Sequence, residues 1–222
     1  CQEAGYLDPI ILAAHINTFC ELCFNARPLA FMEGRYKNHL VEQHWDVFCK
    51  TAAEEGDPSA MFSYACMNLE YEGFIADEEE GIRYLKMSIE KGYTKAMNYY
   101  ARMLYNGNGI EENKSEALKY YKMSADKGDS DGMYQFACLN SEENPTQMEE
   151  TVKYYKMAID KGNVKAMCMY AFISYEGRGI PVNKDEALIY FKMAADNDNS
   201  RAMFFYALMR YKGESSQVDK IE

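Results

Sequence analysis

Cys20 and Cys23 have two residues between them, and His39 and His44 follow after a gap of 15 residues, with 4 between the imidazoles. Thiolate and neutral imidazole are the ligands Zn2+ takes in closed tetrahedral sites, and this spacing lies within the range that two Cys and two His use for it. A turn would present the two thiolates and one helix the two imidazoles. His39 and His44 stand at i and i+5, which such pairs tolerate. Phe31 and Tyr36 are placed to form a miniature core. An ion held by all four side chains would be structural, because no position is left open for substrate. A second reading stands beside this one. Residues 8–26 and 33–55 would be two ordinary helices, with Ile16, Phe19, Cys20 and Cys23 in their core and His39 and His44 on a solvated face.

The stretch from Cys20 to His44 resembles the Cys-Cys-His-His zinc finger family, although Arg27 sits where an aromatic is common. The resemblance raises the question of nucleic acid. Arg27, Arg35 and Lys37 are balanced by Glu21, Glu33 and Glu42, so the segment is neutral on a chain of net charge −11. Phosphate contact would draw little help from bulk charge, which weighs against a nucleic-acid partner.

The rest of the chain decides the architecture. With 222 residues, 48% hydrophobic and 27% charged, the composition is that of a folding chain of one substantial domain, or a domain plus a small module. No apolar run approaches the roughly 18 residues that read as a membrane span. Seven Cys, at 1, 20, 23, 49, 66, 138 and 168, make a poor disulfide framework. They read as small reduced core residues, which predicts a cytoplasmic or nuclear location. Cys1 in place of Met gives the sequence the look of an excised fragment.

From position 56 onward the chain repeats itself. Units begin at Gly56, Gly92, Gly128, Gly162 and Asp198, a period of 36 residues with one step of 34. Each carries Ala or Gly at its fifth place (Ala60, Ala96, Gly132, Ala166, Ala202), then Met, then an aromatic-Ala pair such as Tyr100-Ala101. The second half repeats Tyr121-Lys122-Met123, Tyr155-Lys156-Met157 and Phe191-Lys192-Met193, with Leu85-Lys86-Met87 as a variant. Ala96, Tyr100, Ala101 and Leu104 fall on one helical stripe, and Ala117, Tyr120, Tyr121, Ser124 and Ala125 on another. The Gly-rich strings Asn106–Ile110 and Glu176–Ile180 are turns. Gly56, Gly92, Gly128 and Gly162 stand where a left-handed cap residue ends a helix. The acidic run Asp77–Glu80 supplies favourable charge to a helix N-terminus. One hairpin cannot bury both apolar stripes alone, so the predicted fold is all-α: a right-handed α-solenoid of stacked antiparallel helix pairs. Residues 45–222 form the array, and residues 1–44 form an N-terminal segment.

The pattern Ala, aromatic-small pair, (Tyr/Asn)-x-Gly-x-Gly-Ile, Asn-Lys-x-Glu-Ala-Leu-x-Tyr-(Tyr/Phe)-Lys and terminal Gly is similar to the Sel-one-like repeat, a relative of the tetratricopeptide repeat. The resemblance implies a non-enzymatic scaffold or adaptor for a protein or peptide partner, with no catalytic residues and no cofactor required by the repeats. Two other classes compete. A cysteine-rich bacterial branch of the family has been linked to β-lactam hydrolysis, but those relatives pair Cys within each repeat and this chain does not. A zinc-dependent nucleic-acid-binding protein is the other. The third unit departs from the pattern, with Gly132 for Ala and Asn140–Gln147 in place of the Gly-rich turn.

Binding residues are expected on the first helices. The stripe opposite the Ala-Tyr core holds Phe62, Tyr99, Arg102, Tyr134, Gln135, Met169, Phe172 and Phe205. It reads either as packing between adjacent repeats or as a concave groove that takes a peptide or helix on aromatic and Arg anchors. For the N-terminal segment, the zinc reading predicts about one zinc per chain in freshly purified protein, and unfolding of residues 15–45 by a chelator with the repeats left helical. Metal analysis that finds no zinc leaves core cysteines and surface histidines.

Overall fold

The computed structural model describes residues 49–70 and 77–215. All regular structure among the described residues is helical, in nine helices of 12 to 14 residues preceded by a helical end at 49–54. They are α1 (Pro58–Glu70), α2 (Glu78–Glu90), α3 (Thr94–Asn106), α4 (Lys114–Asp126), α5 (Ser130–Glu143), α6 (Met148–Asp160), α7 (Val164–Glu176), α8 (Lys184–Ala195) and α9 (Ser200–Lys212). The chain divides into two compact units, Cys1–Ala96 and Met97–Glu222. In the first, α2 packs against α1. In the second, α5 lies between α4 and α6, α7 between α6 and α8, and α9 on α8. Segment 1–44, with Cys20, Cys23, His39 and His44, lies outside the described residues.

Helix boundaries follow from short polar side chains. Asp57, Asp77, Asn113, Asp129, Asn163, Asn183 and Asn199 each precede a helix and accept from a backbone N–H three residues on. Each satisfies one of the donors a helix start leaves unpaired. Asn113 and Asn183 also donate through Nδ2 to Glu116 and Glu186 at 3.3 Å, which ties each cap side chain to the first turn of its helix. The acidic run is part of this scheme: Asp77 caps α2, and Glu78, Glu79 and Glu80 fill its first turn.

The turns from second helix to first helix are alike. Gly92, Gly128 and Gly162 have φ of 87°, 89° and 79°, and each is followed by an N–H that reaches back five residues, as from Asp129 to the Ser124 carbonyl at 3.2 Å. This is the left-handed stop expected of those glycines. Asp198 takes the same place in the last unit with φ 61°, a conformation Asp tolerates better than most residues.

The third unit shows what a lost glycine turn requires. In its neighbours the chain folds back so that Asn113 and Asn183 donate to the carbonyls of Leu104 and Ser174 at 2.8 Å. Here α5 runs to Glu143, Asn144 donates to the Asn140 carbonyl, and Gln147 makes no side-chain cap. A buried polar cluster holds the joint instead: Asn140 Nδ2 donates to Thr151 Oγ1 at 3.0 Å, and Asn144 Nδ2 to Asn140 Oδ1 at 2.9 Å. The positions that face each other here are Asn140 and Thr151; in the next unit they are Ser174 and Ala187, all buried.

The second departure, Gly132, has a steric cause. A Cβ there would lie 2.8 Å from Ser124 Cβ and 3.0 Å from the backbone nitrogen of Ala125. The start of α5 therefore sits closer to α4 than a methyl group permits. The repeated methionines sort into two environments. Met61, Met97, Met133 and Met167 on first helices are buried, but Met123 and Met193 of the Tyr/Phe-Lys-Met strings are 43% and 39% exposed. Two residues past the buried Tyr121 and Phe191, the helix has turned the side chain to its opposite, solvent-facing side.

Gly132→Ala should lower stability by about 1–3 kcal/mol, the usual cost of forcing an atom into a filled contact. Adding Ser124→Ala should return only part of the loss in a denaturant titration, because it removes Oγ, the nearest atom, and leaves Ser124 Cβ and the Ala125 nitrogen in place.

Candidate functional site

Two constellations recur on the repeats. The first joins one second helix to the next pair. Lys50 Nζ meets Glu80 at 3.4 Å and lies over the Tyr64 ring, whose hydroxyl donates to Glu80 at 3.0 Å. In the second unit Lys122 pairs with Glu150 and covers the rings of Phe136 and Tyr154. Lys156 covers Tyr170, which donates to Glu186 at 3.0 Å. Each Lys is the middle residue of the (Tyr/Phe)-Lys-Met string or its equivalent, and each Glu is the third residue of a second helix. A first-helix ring also meets a second-helix ring edge-on, as Tyr64 with Tyr84 at 4.8 Å and Tyr170 with Tyr190 at 5.0 Å. These contacts have a structural role, since every partner is taken within the chain.

The second constellation leaves aromatic surface exposed. It lies in the second unit, on the faces of α5, α7 and α9. Phe191 of α8 is fully buried and forms its floor. Phe172 meets it edge-on at 4.9 Å and meets Phe205 at 4.5 Å, and Phe205 stacks on Phe191 at 5.6 Å. Phe172 and Phe205 are half-buried. Phe204, edge-on to Phe205 at 5.2 Å, is 61% exposed. The Arg201 guanidinium lies 4.5 Å from the centre of the Phe172 ring.

Toward α5 the wall becomes a thiol and phenol cluster. Tyr155 donates to Cys138 Sγ at 3.3 Å, and its ring lies 6.3 Å from that of Tyr134. Burial pushes the Cys138 thiol up, against hydrogen bonds from Tyr155 and Tyr134 that pull it down. Burial also raises Cys168, partly offset by the Arg201 charge. Low thiolate content makes both poor nucleophiles at neutral pH. Burial likewise raises Tyr134 and Tyr155, and holds Tyr121 at about 12. Tyr154 is held at about 12 by burial and by its hydrogen bond to Asp126. Nothing in this cluster pairs an activated nucleophile with a base. Among the described residues no three His, Cys, Asp or Glu are grouped to hold a metal, and no helix is long and apolar enough to cross a membrane.

The Sel1 repeat model matches residues 58–93, 94–129, 133–163, 164–199 and 200–222. The chain belongs to the Sel1 repeat family. Such proteins are generally protein-interaction scaffolds. The fold is shared with a protective antigen of uropathogenic Escherichia coli that displays an SLR fold, at TM-score 0.71 and 21% identity over 76% of this chain and 36% of that one. This chain thus spans about a third of that protein. A Sel1 repeat protein from Oxalobacter formigenes is similar at TM-score 0.66 and 25% identity, over 76% of this chain and 68% of that one. An immunity protein from Pseudomonas aeruginosa is similar at TM-score 0.55 and 19% identity, over 97% and 75%. No curated protein matches the sequence.

The stripe expected to carry partner contacts is distributed unevenly over these repeats. Phe62 is 2% exposed and packs on Tyr93 at 5.6 Å within the first unit. Tyr99 is 5% exposed, with Arg102 exposed above its ring at 4.9 Å. Phe62 and Tyr99 therefore offer little surface to a partner, because packing consumes them. Tyr134, Gln135, Met169, Phe172 and Phe205 are half-buried, with one face still open. Sequence reading passed over Phe204 and Arg201. Arg201 stands immediately before the repeat's Ala, a place filled by Ser59, Lys95, Asp131 and Lys165 in the other units. Comparing that variable place across units is the signal that finds it.

The raised phenols give a pH prediction. Folding favours their neutral form, so their contribution is complete below the ordinary phenol value of about 10. It declines as pH rises through about 12, where Tyr121 and Tyr154 ionise in the folded chain. Stability in denaturant should fall steadily over that window, with the last phenolate absorbance appearing only as helical circular dichroism is lost. Ionisation of every tyrosine near pH 10 with the helices intact would contradict the burial described here.

Proposed function

We propose that the chain is a non-enzymatic adaptor that holds a protein or peptide partner against the first-helix faces of α5, α7 and α9. The observation that carries this reading is the aromatic patch of Phe172, Phe204 and Phe205 over a Phe191 floor. Large rings on a rigid helical frame lose little freedom when covered, and such anchors dominate binding energy at interfaces. The ladder of Lys, Tyr and Glu gives the frame its rigidity, so the patch stays presented without a partner. Gln135 and Met169 flank the anchors and supply adaptable contact. The argument against an enzyme is chemical: the groups in the patch are apolar, or titrate far from neutrality in the unhelpful direction.

Affinity capture from the source cell tests this. The parent chain and the variant Phe204→Ser with Met169→Ser should show equal helicity and a melting temperature within a few degrees, since Phe204 is exposed and Met169 half-buried. A protein retained by the parent should be lost by the variant, at a cost of about 2 kcal/mol or more for a central anchor. Equal retention by both would place the interface elsewhere on the repeats.

A further inference from the structure

The patch has an electrostatic edge that its aromatic content alone does not explain. Arg201 touches the Phe172 ring, and among the described residues no carboxylate pairs with it. Lys165 holds the same place one repeat earlier, immediately before Ala166, and is exposed with no ion-pair partner among the described residues. Three acidic groups of neighbouring positions are already engaged. Asp131, the equivalent in α5, accepts from Asn163 Nδ2 at 3.1 Å. Glu176, one turn beyond Phe172, pairs with Arg178. Glu142 accepts from the Tyr105 hydroxyl at 3.4 Å. On a chain of net charge −11, two successive first helices thus carry an exposed cation with no ion pair among the described residues, and one of them, Arg201, lies on a half-buried ring.

From this juxtaposition we infer that the patch takes an acidic partner segment, one that sets a bulky apolar side chain on Phe172, Phe204 and Phe205 and an Asp or Glu carboxylate against Arg201, with a second carboxylate toward Lys165. The inference rests on the adaptor reading above and names its partner's chemistry. Three physical points support it. A guanidinium lying on an aromatic face is partly desolvated and pre-oriented, so a carboxylate gains a directed, charge-assisted pair. The Arg201 charge already reaches the interior of the patch, where it draws the Cys168 thiol down against burial. The chain's distant negative charges repel an acidic segment only weakly, because salt screens them beyond a Debye length of about 8 Å. Contact with Arg201 is far inside that range.

A phage-displayed library of short random peptides, selected on the full chain and counter-selected on Phe204→Ser with Met169→Ser, separates this inference from the reading beneath it. The expected outcome is enrichment of peptides with Asp or Glu beside an aromatic or Leu. Synthetic copies should bind Arg201→Gln roughly tenfold more weakly and Arg201→Glu more weakly still, with partial rescue when the peptide's Glu is changed to Lys. Lys165→Glu should add a smaller loss. Patch-dependent peptides without acidic residues, or with unchanged affinity for Arg201→Gln, would overturn the acidic assignment and leave the adaptor reading standing. Peptides that ignore the counter-selecting substitutions, or no enrichment at all, would overturn both. Arg201 is exposed, so its variants keep the fold, and matching circular dichroism spectra verify that.

Discussion

Close approach of helix backbones at one small residue per unit is the constraint on which everything else depends. Ala60, Ala96, Ala166 and Ala202 have no exposed surface, and Gly132 takes the same place where even a methyl group would meet Ser124. Once the backbones are that near, the long side chains on either flank are forced together. Aromatic pairs such as Tyr64 with Tyr84 and Phe136 with Tyr154 close edge-on at 4.8 and 4.5 Å. A bulkier residue at the small place would hold the pairs apart and leave those rings half solvated.

Within each unit the Lys-aromatic-Glu contacts of Lys50, Lys122 and Lys156 then tie a second helix to the pair that follows. No single contact of this kind is strong, since an exposed ion pair contributes at most about 1 kcal/mol. Their value lies in register. A Lys, a ring and a first-turn Glu drawn from three successive helices meet only when the repeats are stacked in one order, and the arrangement is seen at Lys50, Lys122 and Lys156. Because stability in such arrays is shared between neighbours, the faces left over are free to vary. The aromatic patch on α7 and α9 uses that freedom: the places that hold Phe172 and Phe204 there are filled by Cys138 and Tyr134 in the third unit.

Much of this was written in the amino-acid pattern. The period, the two helices per unit, the left-handed glycine stops and the acidic start of α2 follow from residue types at fixed spacing, because each rests on interactions within a few residues of chain. The irregular third unit was visible as a departure, though its remedy was not. That Asn140 would bond Thr151 depends on how two helices face each other across a turn whose geometry the residue string leaves open. The repeated methionines divide for a related reason: the packed helices keep Met61 and Met133 inside and leave Met123 and Met193 turned outward.

Sequence by itself determined the class of fold and the unit that builds it, since backbone propensity, caps and apolar period are local properties of the chain. Tertiary structure alone decided which variable side chains survive packing with a face to spare. Phe62 and Tyr99 looked equivalent to Phe205, and neighbouring helices bury the first two while leaving the third half open. Arg201 drew no attention as one charge among many, until the fold laid it on Phe172 with no carboxylate paired to it among the described residues. Surface exposure and ion pairing are set by residues remote in the chain, and only the packed helices bring those residues within reach.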